Sequence, residues 1–203
     1  THYIILSGDQ LYRMDLKKFM DQHLKSGANI TIAAKAVNRS DASSFGIMQV
    51  DESNTITAFM EKPAKDMNID DWKIPEAARE PELPSNLEYL ASMGIYIFDA
   101  DTMEEMLNND YNDFGKEIIP MAIKSKKVSS YIFNGYWEDI GTIRSFYEAT
   151  LDLTNPIPQF NFYDEDKPIY THMRNLPPSK INHAEMVSTL ASEGCVITNS
   201  RIQ

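Results

Sequence analysis

The sequence predicts an α/β protein, a mixed sheet with flanking helices. Three observations lead there. Short continuous apolar runs (Tyr3-Ile4-Ile5-Leu6, Ile30-Thr31-Ile32-Ala33-Ala34 and residues 91–98) have the length of strands, not of helices. The segment between the first two carries helix start and stop signals, giving a β-α-β unit of ordinary crossover size. Residues 45–50 and 55–60 flank the polar turn Asp51-Glu52-Ser53-Asn54, a hairpin signature.

The first run ends in Ser7-Gly8-Asp9 and reads as a buried parallel strand opening into a loop. Asp15 caps the next helix, with Phe19 and Leu24 on its apolar side, and Ser26-Gly27 stops it. Pro63 ends the second hairpin strand. Residues 64–88 are polar, carry Pro75, Pro81 and Pro84, and predict a long functional or mobile loop with a short helix near Trp72. A strand over 91–98 leads into a helix from Asp101 to Asn108. Residues 114–124 read as a helix that starts or kinks at Pro120, and 128–133 as a strand. Residues 136–141 form a turn-rich stretch before a helix over 142–153, with Thr142 as its N-cap. Five prolines between Pro156 and Pro178 mark a linker packed on the surface of one domain. Beyond it Ala184, Leu190, Val196 and Ile202 recur every six residues, the spacing of a β-helix edge, although an irregular strand pair fits equally well.

Composition narrows the function classes. The chain has 203 residues and a formal net charge of −11, which disfavours nucleic acid as a partner because a polyphosphate needs a basic face. A small phosphorylated substrate remains compatible, since one basic side chain and a metal hold a phosphate locally. No apolar run approaches the roughly 20 residues that cross a bilayer. The single cysteine, Cys195, leaves no intrachain disulfide and no Cys-based zinc site, which fits a reducing compartment. A chain that opens at Thr1 directly on a strand leads us to expect further residues upstream.

Three motifs carry chemistry. Asp9 follows the carboxyl end of a strand, where open α/β sheets bind ligands, and Gly8 permits close backbone approach; a cap or turn role has equal weight on spacing alone. In Glu61-Lys62-Pro63, Lys62 is a compact cation for a phosphate and Glu61 an acceptor for sugar hydroxyls; a solvated strand end is the simpler alternative. In Trp137-Glu138-Asp139-Ile140-Gly141-Thr142, Asp139 is a partner for Asp9 across a Mg²⁺, which favours one or two carboxylates plus substrate oxygens; a turn followed by a cap is the alternative. His2, His23, His172 and His183 show no ligand spacing and read as structural or exposed. Arg13 follows the Asp9 loop and is a candidate for stabilising it or contacting anions.

Together the segments are more specific than any one of them. Ser7-Gly8-Asp9-Gln10-Leu11-Tyr12-Arg13-Met14-Asp15, Phe45-Gly46-Ile47-Met48, Phe59-Met60-Glu61-Lys62-Pro63, Ser92-Met93-Gly94-Ile95-Tyr96-Ile97-Phe98, Asn112-Asp113-Phe114-Gly115 and Gly135-Tyr136-Trp137-Glu138-Asp139-Ile140-Gly141-Thr142 occur in this order. The chain closely resembles the ADP-glucose pyrophosphorylase family, the glucose-1-phosphate adenylyltransferases, over essentially its whole length. The resemblance implies a Rossmann-like, GT-A-like nucleotidyltransferase domain. Residues 1–153 would be its C-terminal part, 154–180 a linker, and 181–203 the beginning of a left-handed β-helix. It implies transfer of AMP from ATP to glucose 1-phosphate, giving ADP-glucose and pyrophosphate for glycogen or starch synthesis. It assigns Asp9 and Asp139 to Mg²⁺, Glu61 to glucose hydroxyls and Lys62 to the sugar phosphate. Gly46 and Ser92 would line the sugar-nucleotide pocket, with Trp137 near the sugar. A homotetramer is implied for the full-length enzyme, cytoplasmic in bacteria or plastidic in a plant, with no nucleic-acid or membrane partner.

The family's glycine-rich nucleotide loop has no counterpart in these residues, nor does most of its β-helix. The chain is therefore expected to be an internal fragment that does not catalyse the reaction alone. The rival readings are another sugar-1-phosphate nucleotidyltransferase, a non-catalytic regulatory subunit of the same family, and a structural oligomerisation module.

Overall fold

A computed structural model describes residues 1–203. In chain order the strands and helices are β1 (His2–Ile5), β2 (Gln10–Tyr12), α1 (Leu16–Ser26), β3 (Ile30–Val37), α2 (Arg39–Ala42), β4 (Gly46–Val50), β5 (Ile56–Glu61), β6 (Tyr89–Asp99), α3 (Ala100–Leu107), α4 (Ile119–Ala122), β7 (Val128–Ile132), β8 (Trp137–Asp139), α5 (Ile143–Asp152), β9 (Lys180–Asn182), β10 (Glu185–Met186), β11 (Val196–Thr198) and β12 (Arg201–Ile202). They divide into two compact units, one of residues 1–8 and 13–135, the other of residues 9–12 and 136–203.

The first unit is built on a mixed sheet in the order β5-β4-β6-β3-β7, with β1 also paired to β6. β3 and β7 are parallel; the other pairs are antiparallel. β6 is the longest strand, at 11 residues, because it serves β3 along one edge and both β4 and β1 along the other. The first strand corrects the sequence reading. Where the sequence predicts a parallel strand, β1 instead pairs antiparallel with β6, and within residues 1–203 Tyr3 and Ile4 are 46% and 40% exposed. Continuous apolarity does not by itself distinguish the two senses of pairing. The β1-α1-β3 crossover spans β6, which lies between its strands.

Alternation along β3 sends Ile30, Ile32, Ala34 and Ala36 into one core with Phe98, Met106 of α3, Ile118, and Ile119 and Ala122 of α4. On the opposite face Phe19 of α1 meets Tyr131 at 5.0 Å between ring centroids. Asp15 caps α1 by accepting from the Lys17 and Lys18 amides, and Gly27 ends it at φ 60°. The helix buries Phe19 and His23; Leu24, expected on its apolar side, is 56% exposed.

The hairpin of β4 and β5 forms as the turn residues predict. The Asp51 carboxylate accepts from Ser53 N and Oγ and from Thr55 N at 2.7–2.9 Å. These bonds, led by the Ser53 hydroxyl, hold it below the usual carboxylate pKa. Residues 64–88 form a packed excursion with two short 3₁₀ turns. Ile69 joins Val37, Ala42, Ile47, Tyr89 and Ala91 in a second core. The Arg79 guanidinium donates to the carbonyls of Leu83, Pro84 and Leu87. The expected helix over 114–124 is a π-helical turn, Phe114–Ile118, followed by α4 with Pro120 in its first turn.

The second unit pairs β2 with β8, so residues 137–139 are a strand where the sequence suggested only turns. Thr142 and Ser145 form a reciprocal capping box at the start of α5. Within residues 154–180, Phe160 is buried and its ring lies 5.9 Å from Tyr136 and 5.5 Å from Phe162. At the end of the chain β9 pairs with β11 and β10 with β12, both parallel and both sixteen residues apart. His183 and Asn199 have φ of 49° and 50°, matching corners at the same offset.

Candidate functional site

The residues singled out from the sequence fall into two groups, each inside one unit. In the second unit, β2 and β8 place Gln10 opposite Asp139 and Tyr12 opposite Trp137. Asp9, just before β2, accepts from the Ile140 amide through its own carbonyl at 3.0 Å. This fixes the backbone on both sides of the pair. The Asp139 carboxylate accepts from the Gly141 amide at 2.8 Å. A Cβ built on Gly141 would lie 3.0 Å from Asp139 Oδ1 and 3.1 Å from Asp9 Oδ2. The two carboxylates therefore converge on one spot, and the glycine leaves it open. Two hard oxygen donors directed at one point, with solvent beside them, suit a hard divalent cation that keeps several waters. Trp137 is buried, and its Nε1–H donates to Gln10 Oε1 at 3.0 Å. Its ring fastens β2 to β8, a role the sequence did not suggest.

In the first unit Gly46 stands opposite Glu61 in the hairpin ladder. A Cβ on Gly46 would fall 2.8 Å from Glu61 Oε2 and into the Phe59 ring; one on Gly115 would fall 3.0 Å from the same oxygen. Two glycines from distant segments thus make room for one carboxylate. Lys62 leaves the strand at φ 45°, a left-handed conformation that costs a non-glycine residue roughly 1–3 kcal/mol. Its amide donates to Phe45 O at 3.0 Å, while its side chain is exposed.

Ser92 lies in β6 where the pairing with β3 shifts register, Ile32 facing Tyr96 and Ala34 facing Ser92. The bulge at Met93-Gly94-Ile95 puts Gly94 at φ 67°. It brings the Ser92 hydroxyl to the Tyr96 phenol, which burial pushes above its ordinary pKa and which lies in the field of Glu61 and Asp113. Tyr96, Asp113, Gly115 and Phe59 are the members of this group that sequence reasoning did not assign. The motifs around them were visible; their convergence on Glu61 depends on the bulge and the π turn.

Lys35 is a further basic group the sequence left unassigned. It donates to Gly135 O at 2.6 Å, and burial lowers its pKa. His2, His23 and Asp99, also in the first unit, each bring one donor atom within 4.8 Å of the other two, a cluster capable of coordinating a metal ion. The sequence showed no ligand spacing for these histidines because the cluster is assembled across 97 residues; His23 itself is buried, as a structural histidine would be.

Residues 1–156 match the family described as Nucleotidyl transferase. The chain belongs to the nucleotidyl transferase family. Among its relatives is the glucose-1-phosphate adenylyltransferase small subunit, chloroplastic/amyloplastic, of Triticum aestivum. It is 45% identical over 210 residues, covering 98% of this chain and 44% of the wheat protein. The chain thus spans less than half the length of this curated relative. The mixed sheet with flanking helices is the architecture in which the family's residues are set here. No helix is long and apolar enough to cross a membrane.

Gly46→Ala is expected to overpack the hairpin and displace the Glu61 carboxylate, costing about 1–3 kcal/mol. The check is the urea midpoint of the isolated chain. An unchanged midpoint would mean that Phe59 and Glu61 move aside freely.

Proposed function

We propose that the polypeptide to which these residues belong transfers AMP from ATP to glucose 1-phosphate, giving ADP-glucose and pyrophosphate. The observation that carries this reading is the convergence of Asp9 and Asp139 beside Gly141 in a chain so similar to a glucose-1-phosphate adenylyltransferase. Asp9 and Asp139 would hold Mg²⁺, which when bound supplies charge neutralisation at the phosphoryl oxygens of the nucleotide. In-line attack of a sugar phosphate oxygen on the α-phosphorus asks little covalent work of the protein. Catalysis is then mainly positioning and electrostatics.

Lys62 serves that end by taking the sugar phosphate, reducing the repulsion between two anionic substrates. Its exposed side chain and fixed left-handed backbone support the role. Glu61 accepts from glucose hydroxyls, held in place over Gly46 and Gly115. Ser92, through its bond to Tyr96, shapes the same pocket. Trp137 contributes by holding the carboxylate strands in register. We place the activity in glycogen or starch synthesis and, since the wheat relative is named as chloroplastic/amyloplastic, in a plastid if the chain is from a plant. A homotetramer is the proposed assembly, and neither nucleic acid nor membrane is a partner. Residues 181–203 are read as the opening of a left-handed β-helix, supported by the parallel pairing of β9 with β11 and of β10 with β12, although their sixteen-residue offset departs from the six-residue spacing.

A panel of ATP, UTP, dTTP and GTP against several sugar 1-phosphates tests this reading. ADP-glucose is the expected product, and preference for another base or sugar would favour the other sugar-1-phosphate nucleotidyltransferases. Absence of all turnover with effector binding retained would favour a regulatory subunit. Lys62→Ala is expected to raise KM for glucose 1-phosphate by roughly 10–100-fold, the value of one charge-assisted hydrogen bond, with kcat changed less. An unchanged KM would remove Lys62 from the phosphate site.

A further inference from the structure

We propose that His2, His23 and Asp99 form a site for a borderline transition-metal ion of the Zn²⁺ or Co²⁺ type, separate from the Asp9 and Asp139 carboxylates and clasping β1, α1 and the end of β6. The three residues come from three elements: His2 from β1, His23 from the last turn of α1, and Asp99 from the end of β6. Both imidazoles direct Nε2 at the same oxygen, Asp99 Oδ1, at 3.4 Å from His2 and 3.3 Å from His23. As hydrogen bonds these are both long, since N–H···O contacts usually run about 2.7–3.2 Å. As the edges of a tetrahedron they are the right size. Ligands bonded at about 2.0–2.1 Å to a four-coordinate Zn²⁺ lie roughly 3.3 Å from one another.

The surroundings fit that reading. Asp99 occupies the N-cap position of α3 yet makes no capping bond with its side chain. Its second oxygen instead accepts from Asn29 Nδ2 at 3.3 Å. His23 is 1% exposed, and its Nδ1 lies 2.8 Å from Thr31 Oγ1. With Nδ1–H donated to the hydroxyl, the Nε2 lone pair faces the shared point. Metal-ligating histidines are usually oriented through such an outer partner. A cavity of about 470 Å³, lined in part by His2, Asn29, Asp99, Glu105 and Lys126, opens beside His2 and Asp99, and Lys126 is neutralised there by its ion pair with Glu105, leaving room for a water as fourth ligand. Two imidazoles and one carboxylate select a borderline ion over Mg²⁺, which prefers oxygen ligands.

The test is titration of the metal-free 203-residue chain with Co²⁺, read by visible absorption and thermal unfolding. We expect one equivalent to give the intense bands of a four-coordinate ion and to raise Tm. Zn²⁺ should displace it and excess Mg²⁺ should not. His2→Gln and Asp99→Asn should each weaken binding by more than about 100-fold, and Thr31→Val, which removes only the outer partner, by roughly 10–100-fold. His2 lies at the edge of the cluster, so its variant remains informative even where changes at buried His23 prevent folding. Absence of a stoichiometric Co²⁺ band overturns the proposal. So does unchanged binding in His2→Gln and Asp99→Asn, or loss of the band in Asp9→Asn instead.

Discussion

Replacing Asp9 by Asn in a catalytically active form of this polypeptide is expected to lower kcat/KM at least about 10³-fold, roughly 4 kcal/mol of transition-state stabilisation. The fold should survive. Asp9 is exposed, and the bond that fixes it to the neighbouring strand runs from the Ile140 amide to its backbone carbonyl, which asparagine retains. What asparagine removes is the charge of one of two carboxylates facing the spot beside Gly141. Asp139→Asn should behave alike, because the amide oxygen still accepts from Gly141 N. Steady-state kinetics with a far-UV circular dichroism control checks both. Full activity in either variant, with folding intact, would take that carboxylate out of the chemistry.

Phe98→Ala should have the largest effect on stability, about 3–5 kcal/mol lost in the first unit. Phe98 is fully buried in β6, paired to Tyr3 on one side and Ile30 on the other. Its ring lies 6.2 Å from Tyr96 and 5.9 Å from Phe114. Removing it leaves a cavity under the π turn that carries Gly115, the residue against which Glu61 rests. A lower urea midpoint at unchanged slope is the expected readout. A loss below about 1 kcal/mol would mean that the aromatic cluster closes over the gap.

These predictions rest on parts of the molecule that differed in legibility. The hairpin of β4 and β5 and the ends of α1 could be read directly, since Asp15, Gly27 and the Asp51 turn act through bonds a few residues long. The antiparallel pairing of β1 with β6 could not. Its apolar run is the same in either sense of pairing. Asp9 and Asp139 were matched by the chemistry of Mg²⁺ and by resemblance, for nothing local in either segment says that Gln10 lies opposite Asp139. Likewise Glu61 and Lys62 were visible as a charged strand end. The surroundings of Glu61 draw on separate segments, Gly46 across the hairpin, Gly115 on the π turn and Tyr96 beyond the bulge at Gly94, and only the hairpin is local. The His2, His23 and Asp99 cluster left no sequence signal because each member sits on a different element.

The most direct test of the central claim, that Asp9 and Asp139 together hold a hard divalent cation, is paramagnetic broadening by Mn²⁺, standing in for Mg²⁺, in amide spectra of the isotope-labelled chain. The prediction is selective loss of the Gly8, Gln10, Ile140 and Gly141 signals at substoichiometric Mn²⁺, reversed by excess Mg²⁺ and abolished in the Asp9→Asn, Asp139→Asn double variant. Sharp signals at those four amides, or broadening that persists in the double variant, would contradict it.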